Sequence, residues 1–477
     1  MIKLNKYIII TFIFIIHFIF IFIPTVNFEF VFSDAAMEFN INHLNAIENY
    51  FNIQANTFVF PFLIYVINYF LSIDFLTLSR LLSIICVIPL GLSIIKFSEI
   101  FFKDNYIYLL ALILCNPFIF IMAHRGTPDF ISASLAVSTF PYLIFIKKKI
   151  LLLFFSLVLG LAIALKPTVG IILILINLYF LFKLKFDILS TIKKTFIINF
   201  FSLLPFLFYI FFINLNFNFL LANDYYINSL KINSLRNYFS NFILYIGYTY
   251  LFIFTLRISQ LYKKILIIKF NFIYILIIPL ILFFSFLFPI PQLELNLSFL
   301  SNILGKKIEN FIFVISFFIF VFDIVVNRQD LLSNITKKTI LFSIILFFLI
   351  MSFFSPSQRY LICIIPLVIY FFFVFNKKNF ITTILIYIFF NLLLSLNQYL
   401  NGHISELTVI ELKEKKILEL SCPGVIEAHI GNSFITDNKS CDKNYLYTVV
   451  YGYNENSIKT INVSLFFISK TLSIIKL

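Results

Sequence analysis

Apolar residues in this chain run in long blocks, and polar residues punctuate the blocks instead of alternating with them. A helix needs about 20 apolar residues to cross a bilayer. Thirteen blocks read as spans, at 7–24, 80–101, 106–123, 130–146, 150–165, 167–182, 195–213, 243–258, 265–288, 308–326, 339–354, 360–376 and 379–397. The first follows Lys3 and Lys6 like a signal peptide. Thr25, Val26 and Asn27 supply no small-residue cleavage site after it, so it reads as an uncleaved span. The block at 58–73 is short and interrupted by Asn68, which predicts a surface-lying or re-entrant helix within a first outer loop spanning 25–79.

From 398 onward the pattern changes to mixed charge and short β-like runs at 445–451 and 460–467. The expected fold is an all-α polytopic membrane domain over 1–397, with about 13 transmembrane helices, followed by a small α+β domain over 398–477. Cys422 and Cys441 are the two cysteines outside the spans; a disulfide and two free thiols both remain open.

Composition excludes the main alternatives. The chain is 61% hydrophobic and 12% charged, with a mean hydropathy of +1.02. A soluble domain carries about 25% charged residues, so neither a soluble enzyme nor a disordered chain fits. The 69 Phe and the absence of Trp point to A+T-rich codon usage, and Phe stripes read as lipid-facing filler. Tyr and Lys are left to mark the interface.

The net charge of +14 is a topological signal before it is a nucleic-acid footprint. With the N-terminus in the cytoplasm and 58–73 not spanning, lysine clusters at 147–149, 193–194, 263–264, 337–338 and 377–378 all fall on the cytoplasmic side. The outer side of the membrane domain holds only Arg80, Arg125, Lys166, Lys231, Arg236, Lys306, Lys307 and Arg359. This orientation makes the chain a multi-pass plasma-membrane protein with an extracytoplasmic C-terminus.

Polar groups retained at a membrane are functional candidates. On the expected outer face they are Asp34 and Glu38 in the first loop, His124-Arg125-Gly126-Thr127-Pro128-Asp129, Lys166-Pro167-Thr168, the loop 214–242, and Ser355-Pro356-Ser357-Gln358-Arg359-Tyr360. Two carboxylates at the surface suit a general base or a metal ligand. Isolated cations on the same side suit a phosphate anchored in lipid. Each has a plainer role available: Asp129 beside a helix dipole, Arg125 and Arg359 as interfacial anchors, Lys166 as a hairpin residue. His43 and His124 lack metal-ligand spacing, and no nucleotide-binding loop is present.

The order of these segments, with Phe60-Pro61-Phe62, Leu78-Ser79-Arg80, Asn116-Pro117-Phe118 and Ala164-Leu165-Lys166-Pro167, resembles the polyprenyl-phosphate-sugar-dependent glycosyltransferases. The resemblance is to the family 39 group with the GT-C fold, of the protein mannosyltransferase and aminoarabinose transferase type. It runs over about residues 30–185 and returns at Gln358-Arg359-Tyr360-Leu361.

It implies inverting transfer of a sugar from a polyprenyl-phosphate donor to an extracytoplasmic glycan, lipid or protein acceptor. Asp34 would take the catalytic role; Glu38, four residues on, could share a helical face with it and is a second catalytic candidate, though outside the family pattern. Arg80, Arg125, Asp129, Lys166, Arg359 and Tyr360 would bind substrate and phosphate. The bilayer is the other partner, with no nucleic acid; no cofactor is assigned, and a divalent cation stays open. Two positions depart from the family pattern: Ala35 follows Asp34 where many members have Glu, and Val59-Phe60 stand before Pro61 where Lys or His is usual. An O-antigen polymerase or ligase, and a lipid-linked-sugar transporter or flippase, are the alternatives.

Overall fold

The computed structural model describes residues 6–19, 59–73, 75–101, 106–183, 188–217, 235–267, 306–332, 335–353, 358–373, 376–417, 419–421, 435–437, 447–465 and 468–476. Its helices are α1 (Lys6–Ile19), α2 (Val59–Leu71), α3 (Phe75–Ile85), α4 (Val87–Phe101), α5 (Tyr106–Leu114), α6 (Pro117–Arg125), α7 (Pro128–Phe145) and α8 (Lys149–Leu165), then α9 (Ile171–Lys183), α10 (Ile188–Phe217), α11 (Leu235–Leu251), α12 (Phe254–Ile267), α13 (Lys306–Val326), α14 (Ile335–Met351), α15 (Ile365–Phe372) and α16 (Lys377–Glu414). Tight 3-10 turns occupy Pro167–Gly170 and Gln358–Cys363.

Among the described residues, four helical stretches are long and apolar enough to cross a membrane: Thr77–Phe101, Pro128–Phe145, Thr191–Phe211 and Lys377–Leu396. Each overlaps an expected span. Two more expected spans, 106–123 and 243–258, are bent pairs, α5 with α6 at 61° and α11 with α12 at 81°, which raises the number to six if each pair crosses once. Others form shorter apolar helices, among them Lys149–Leu165, Asn310–Val326 and Leu361–Phe372. The expected short helix at 58–73 forms as α2. Nearly all of the expected span at 265–288 lies outside the described residues, as do Cys422 and Cys441.

Helix α7 is the hub. Fifteen of its eighteen residues are buried. Its sequence can be surrounded because it is rich in Ser, Thr and Ala, whose small side chains admit close neighbours. Two of the buried hydroxyls bond back to the preceding turn, Ser138 to the Leu135 carbonyl at 2.7 Å and Thr139 to the Ala136 carbonyl at 2.7 Å, while that of Ser134 has no hydrogen-bond partner among the described residues. At its C-terminal end the Lys194 ammonium donates to the carbonyls of Ile144 (2.9 Å) and Ile146 (3.2 Å), a cation on the negative pole of the helix. Lys194 therefore caps a helix as well as orienting a span. Elsewhere helices approach through glycine. A Cβ at Gly160 would lie 2.6 Å from the Ser202 carbonyl oxygen, so α8 and α10 touch backbone to backbone.

The two bends are held from one side. At the first, Pro117 supplies no N–H to the preceding turn, and Asn116 caps α6 by accepting from the Phe118 amide at 3.1 Å. At the second there is neither Pro nor Gly. Carbonyls freed at such bends are costly away from water, and a stripe on α16 takes them up. Asn391 donates to the Cys115 carbonyl at 3.0 Å, and Tyr387 donates to the Phe252 carbonyl at 2.8 Å while accepting from Asn116 at 3.4 Å. Thr383 pairs with Thr255 at 2.7 Å, and Asn379 donates to the Leu256 carbonyl at 3.0 Å. These four residues recur every fourth position, one helix face gripping both bends.

A second polar cluster sits beside the sharper bend. Arg257 forks onto Asp323, Nε to Oδ2 at 2.8 Å and Nη2 to Oδ1 at 2.8 Å. Tyr250 donates to Oδ2 and Asn327 to Oδ1, each at 2.7 Å. Arg257 also reaches Gln260 and faces the Phe372 ring. The Arg257 side chain is 1% exposed, its charge engaged by Asp323.

Beyond the expected boundary at 397, α16 continues unbroken to Glu414. It ends in a Schellman turn: Lys416 adopts φ +55°, its amide reaches the Lys413 carbonyl, and the Ile417 amide reaches the Leu412 carbonyl. Ile417 and Leu412 then enter a small core with Ile404, Val409, Val449, Leu472 and Ile474. The sheet that closes this core has strands β1 (Glu419–Ser421), β2 (Ile435–Asp437), β3 (Tyr447–Tyr451), β4 (Ser457–Leu465) and β5 (Ile468–Lys476), in the order β2-β1-β3-β5-β4. The short pairs of β1 are parallel and the three long strands are antiparallel. The α+β expectation for this region holds, with two of the strands at the β-like runs.

Candidate functional site

The segment Arg125-Gly126-Thr127-Pro128-Asp129 folds as a junction between two helices. Gly126 takes φ +75° and closes α6; Pro128 opens α7 at its first position. A Cβ at Gly126 would lie 2.7 Å from Ser79 Oγ and 2.9 Å from the Arg80 amide nitrogen, so the junction lies directly on α3. Arg80 is buried there and donates from Nε to the His124 carbonyl at 2.9 Å, covering the last turn of α6.

Asp129 falls in the first turn of α7, where the free amides favour a negative charge. Its Oδ1 lies 3.1 Å from Lys166 Nζ, and both side chains are buried, at 2% and 9% exposure. Lys166 reaches it from the point where α8 ends: the residue is extended, at φ −151°, and Pro167 directs the chain into the 3-10 turn that follows. Thr127, the N-cap residue, is buried and makes no capping bond, and its hydroxyl has no hydrogen-bond partner among the described residues. The turn Gln358–Cys363, which carries Arg359 and Tyr360, packs against α7 and α6, and Cys363 is within electrostatic reach of Asp129.

Segments around Arg80, Asp129, Lys166 and Arg359 thus meet at the N-terminal end of one helix. Arg125 ends α6 in the same junction. Asp34 and Glu38 lie outside the described residues. Among the described residues no group of three or more His, Cys, Asp or Glu is arranged to hold a metal ion.

One partner was missed from sequence. His17, on α1, meets His124 with Nδ1 3.2 Å from Nε2, the rings stacked 4.9 Å apart and Phe120 against both. A histidine in an otherwise apolar helix is a signal in itself, since a polar group among apolar neighbours needs a partner. The contact ties the helix that precedes the first-loop carboxylates to the helix that leads into Asp129.

Chemically, the cluster offers two cations, a helix N-terminus, a hydroxyl and one carboxylate in a setting with little water. Such a setting strengthens every charge contact. It suits an anion with oxygen acceptors better than it suits a metal or an apolar ligand. No protein-family model, curated protein or solved structure matches this chain.

Proposed function

We propose that the chain is an integral membrane glycosyltransferase of the GT-C type. On this reading it has about thirteen spans, a cytoplasmic N-terminus and an extracytoplasmic C-terminal domain. It moves a sugar from a polyprenyl-phosphate donor to a glycan, lipid or protein acceptor with inversion at the anomeric carbon. The observation that carries the reading is the meeting of Arg80, the Asp129–Lys166 pair and the Gln358–Cys363 turn, from four distant parts of the chain. They are also the segments that resemble the family.

Lys166, Arg80 and the N-terminus of α7 would offset charge on the phosphate as it departs. Asp34 would act as the base on the opposite side of the sugar, as inverting displacement requires, with Glu38 beside it. Arg125, Arg359 and Tyr360 would complete the head-group contacts.

The test is turnover by the full chain in nanodiscs, given a panel of undecaprenyl phosphates carrying labelled hexoses or pentoses and a membrane extract as acceptor source. Release of undecaprenyl phosphate, lost in Asp34→Ala and Lys166→Met, is the expected result. Intact donor crossing a liposome bilayer without cleavage would instead identify a transporter.

A further inference from the structure

We propose that Asp129 is a release group: it competes with the lipid phosphate for Lys166 and favours departure of the doubly charged product over the singly charged donor. The inference rests on the reading above and deepens it. The donor is a phosphodiester with one negative charge. The product, a polyprenyl phosphate monoester, carries between one and two charges near neutral pH. Both need a cation, and the cation here already has a carboxylate on it at 3.1 Å.

The mechanical properties of the two partners suit an exchange. Asp129 has a short side chain on the first turn of a helix buried over fifteen of its eighteen residues, so its carboxylate stays in place. Lys166 carries its charge on a four-carbon stem and leaves the end of α8 in extended backbone, so its ammonium can turn from a carboxylate to a phosphate oxygen. Once a phosphate is on Lys166, Asp129 faces it as a like charge, and the repulsion grows with each added negative charge. The monoester is therefore pushed out more strongly than the diester, and the Asp129–Lys166 contact re-forms behind it.

Thr127 supplies a second observation at the same place. Its hydroxyl is buried two residues before Asp129, and of the six buried hydroxyls without a hydrogen-bond partner among the described residues it is the one at the mouth of α7. A buried hydroxyl in that condition is expensive unless something accepts from it, and a phosphate oxygen at the N-terminus of α7 would do so. The contrast with Asp323 is direct. There Arg257, Tyr250 and Asn327 supply two donors to each carboxylate oxygen, and the arrangement leaves a ligand nothing to displace.

The experiment is equilibrium binding to the full chain in nanodiscs, with three probes: undecaprenyl phosphate, its monomethyl ester as the singly charged analogue, and undecaprenol as the uncharged control. Asp129→Asn is expected to bind undecaprenyl phosphate about tenfold more tightly and the methyl ester at most about threefold more tightly, with undecaprenol unchanged. Thr127→Val is expected to weaken both phosphates about threefold. Asp129→Glu, which keeps the charge, is expected to match the wild type and controls for disturbance of the fold. Equal or weaker binding of undecaprenyl phosphate by Asp129→Asn overturns the release role, while sugar transfer by the wild type leaves the enzyme reading intact. Wild-type binding of both phosphates no tighter than undecaprenol overturns both.

Discussion

Asp129 and Asp323 are each buried in an apolar helix bundle and each meet a cation, yet the two sites differ in kind. Asp323 receives four hydrogen bonds, two of them from one rigid guanidinium, and it fastens the bend between α11 and α12. Asp129 meets a lysine, whose ammonium is a point charge on a flexible stem, beside a helix end and an unsatisfied hydroxyl. One arrangement consumes the whole hydrogen-bonding capacity of a carboxylate, as a structural part should. The other pairs the acid with a cation that can turn away from it. Burial alone does not separate the two pairs; the identity of the cation does.

The largest expected effect of mutation lies at the four-donor site. Asp323→Ala leaves a buried guanidinium uncompensated and should cost about 3–5 kcal/mol, whereas the double change Arg257→Met with Asp323→Leu should recover most of the loss. Thermal unfolding followed by a thiol-reactive dye checks this, since Cys86 and Cys363 are buried and react on unfolding. Equal losses in the single and double variants would contradict a structural pair.

Asp129→Asn keeps the shape and one acceptor but removes the carboxylate charge beside the buried Lys166 ammonium, and should cost about 2 kcal/mol in the same assay, while changing phosphate binding as described above. The smallest effect belongs to Lys96 and Glu99, exposed partners 4.0 Å apart on α4. Lys96→Ala should shift stability by no more than about 0.5 kcal/mol, and it sets the baseline for the other two.

How much of this was legible in the sequence depends on range. Apolar blocks gave most helices to within a few residues, because burial of the backbone in an apolar medium leaves a helix as the stable local form. The bend at Cys115-Asn116-Pro117 was in plain view: an Asn to cap and a Pro that cannot donate. The sharper bend at residues 251–254 carries no such mark, and it exists because Tyr387, distant in sequence, supplies a donor to the Phe252 carbonyl.

The candidate site divides along the same line. Gly126, Pro128 and Lys166 announce their turns locally. The pairing of His124 with His17 and of Asp129 with Lys166 depends on how four helices pack.

Helix α16 also sets a distance. A helix of its 38 residues is about 57 Å long, and a hydrocarbon layer takes up about 30 Å of such a rod. On the membrane reading proposed above, the portion beyond Leu396 extends about 27 Å past that layer, and the sheet packs along it from Ile404 to Ile417. The C-terminal domain would then ride at a fixed height on the same rod whose lower turns grip both bent helices, with about 12 Å between the layer and the first packed turn at Ile404. On the glycosyltransferase reading, an acceptor would reach the membrane surface beside this domain, and that fixed position would constrain what can be modified.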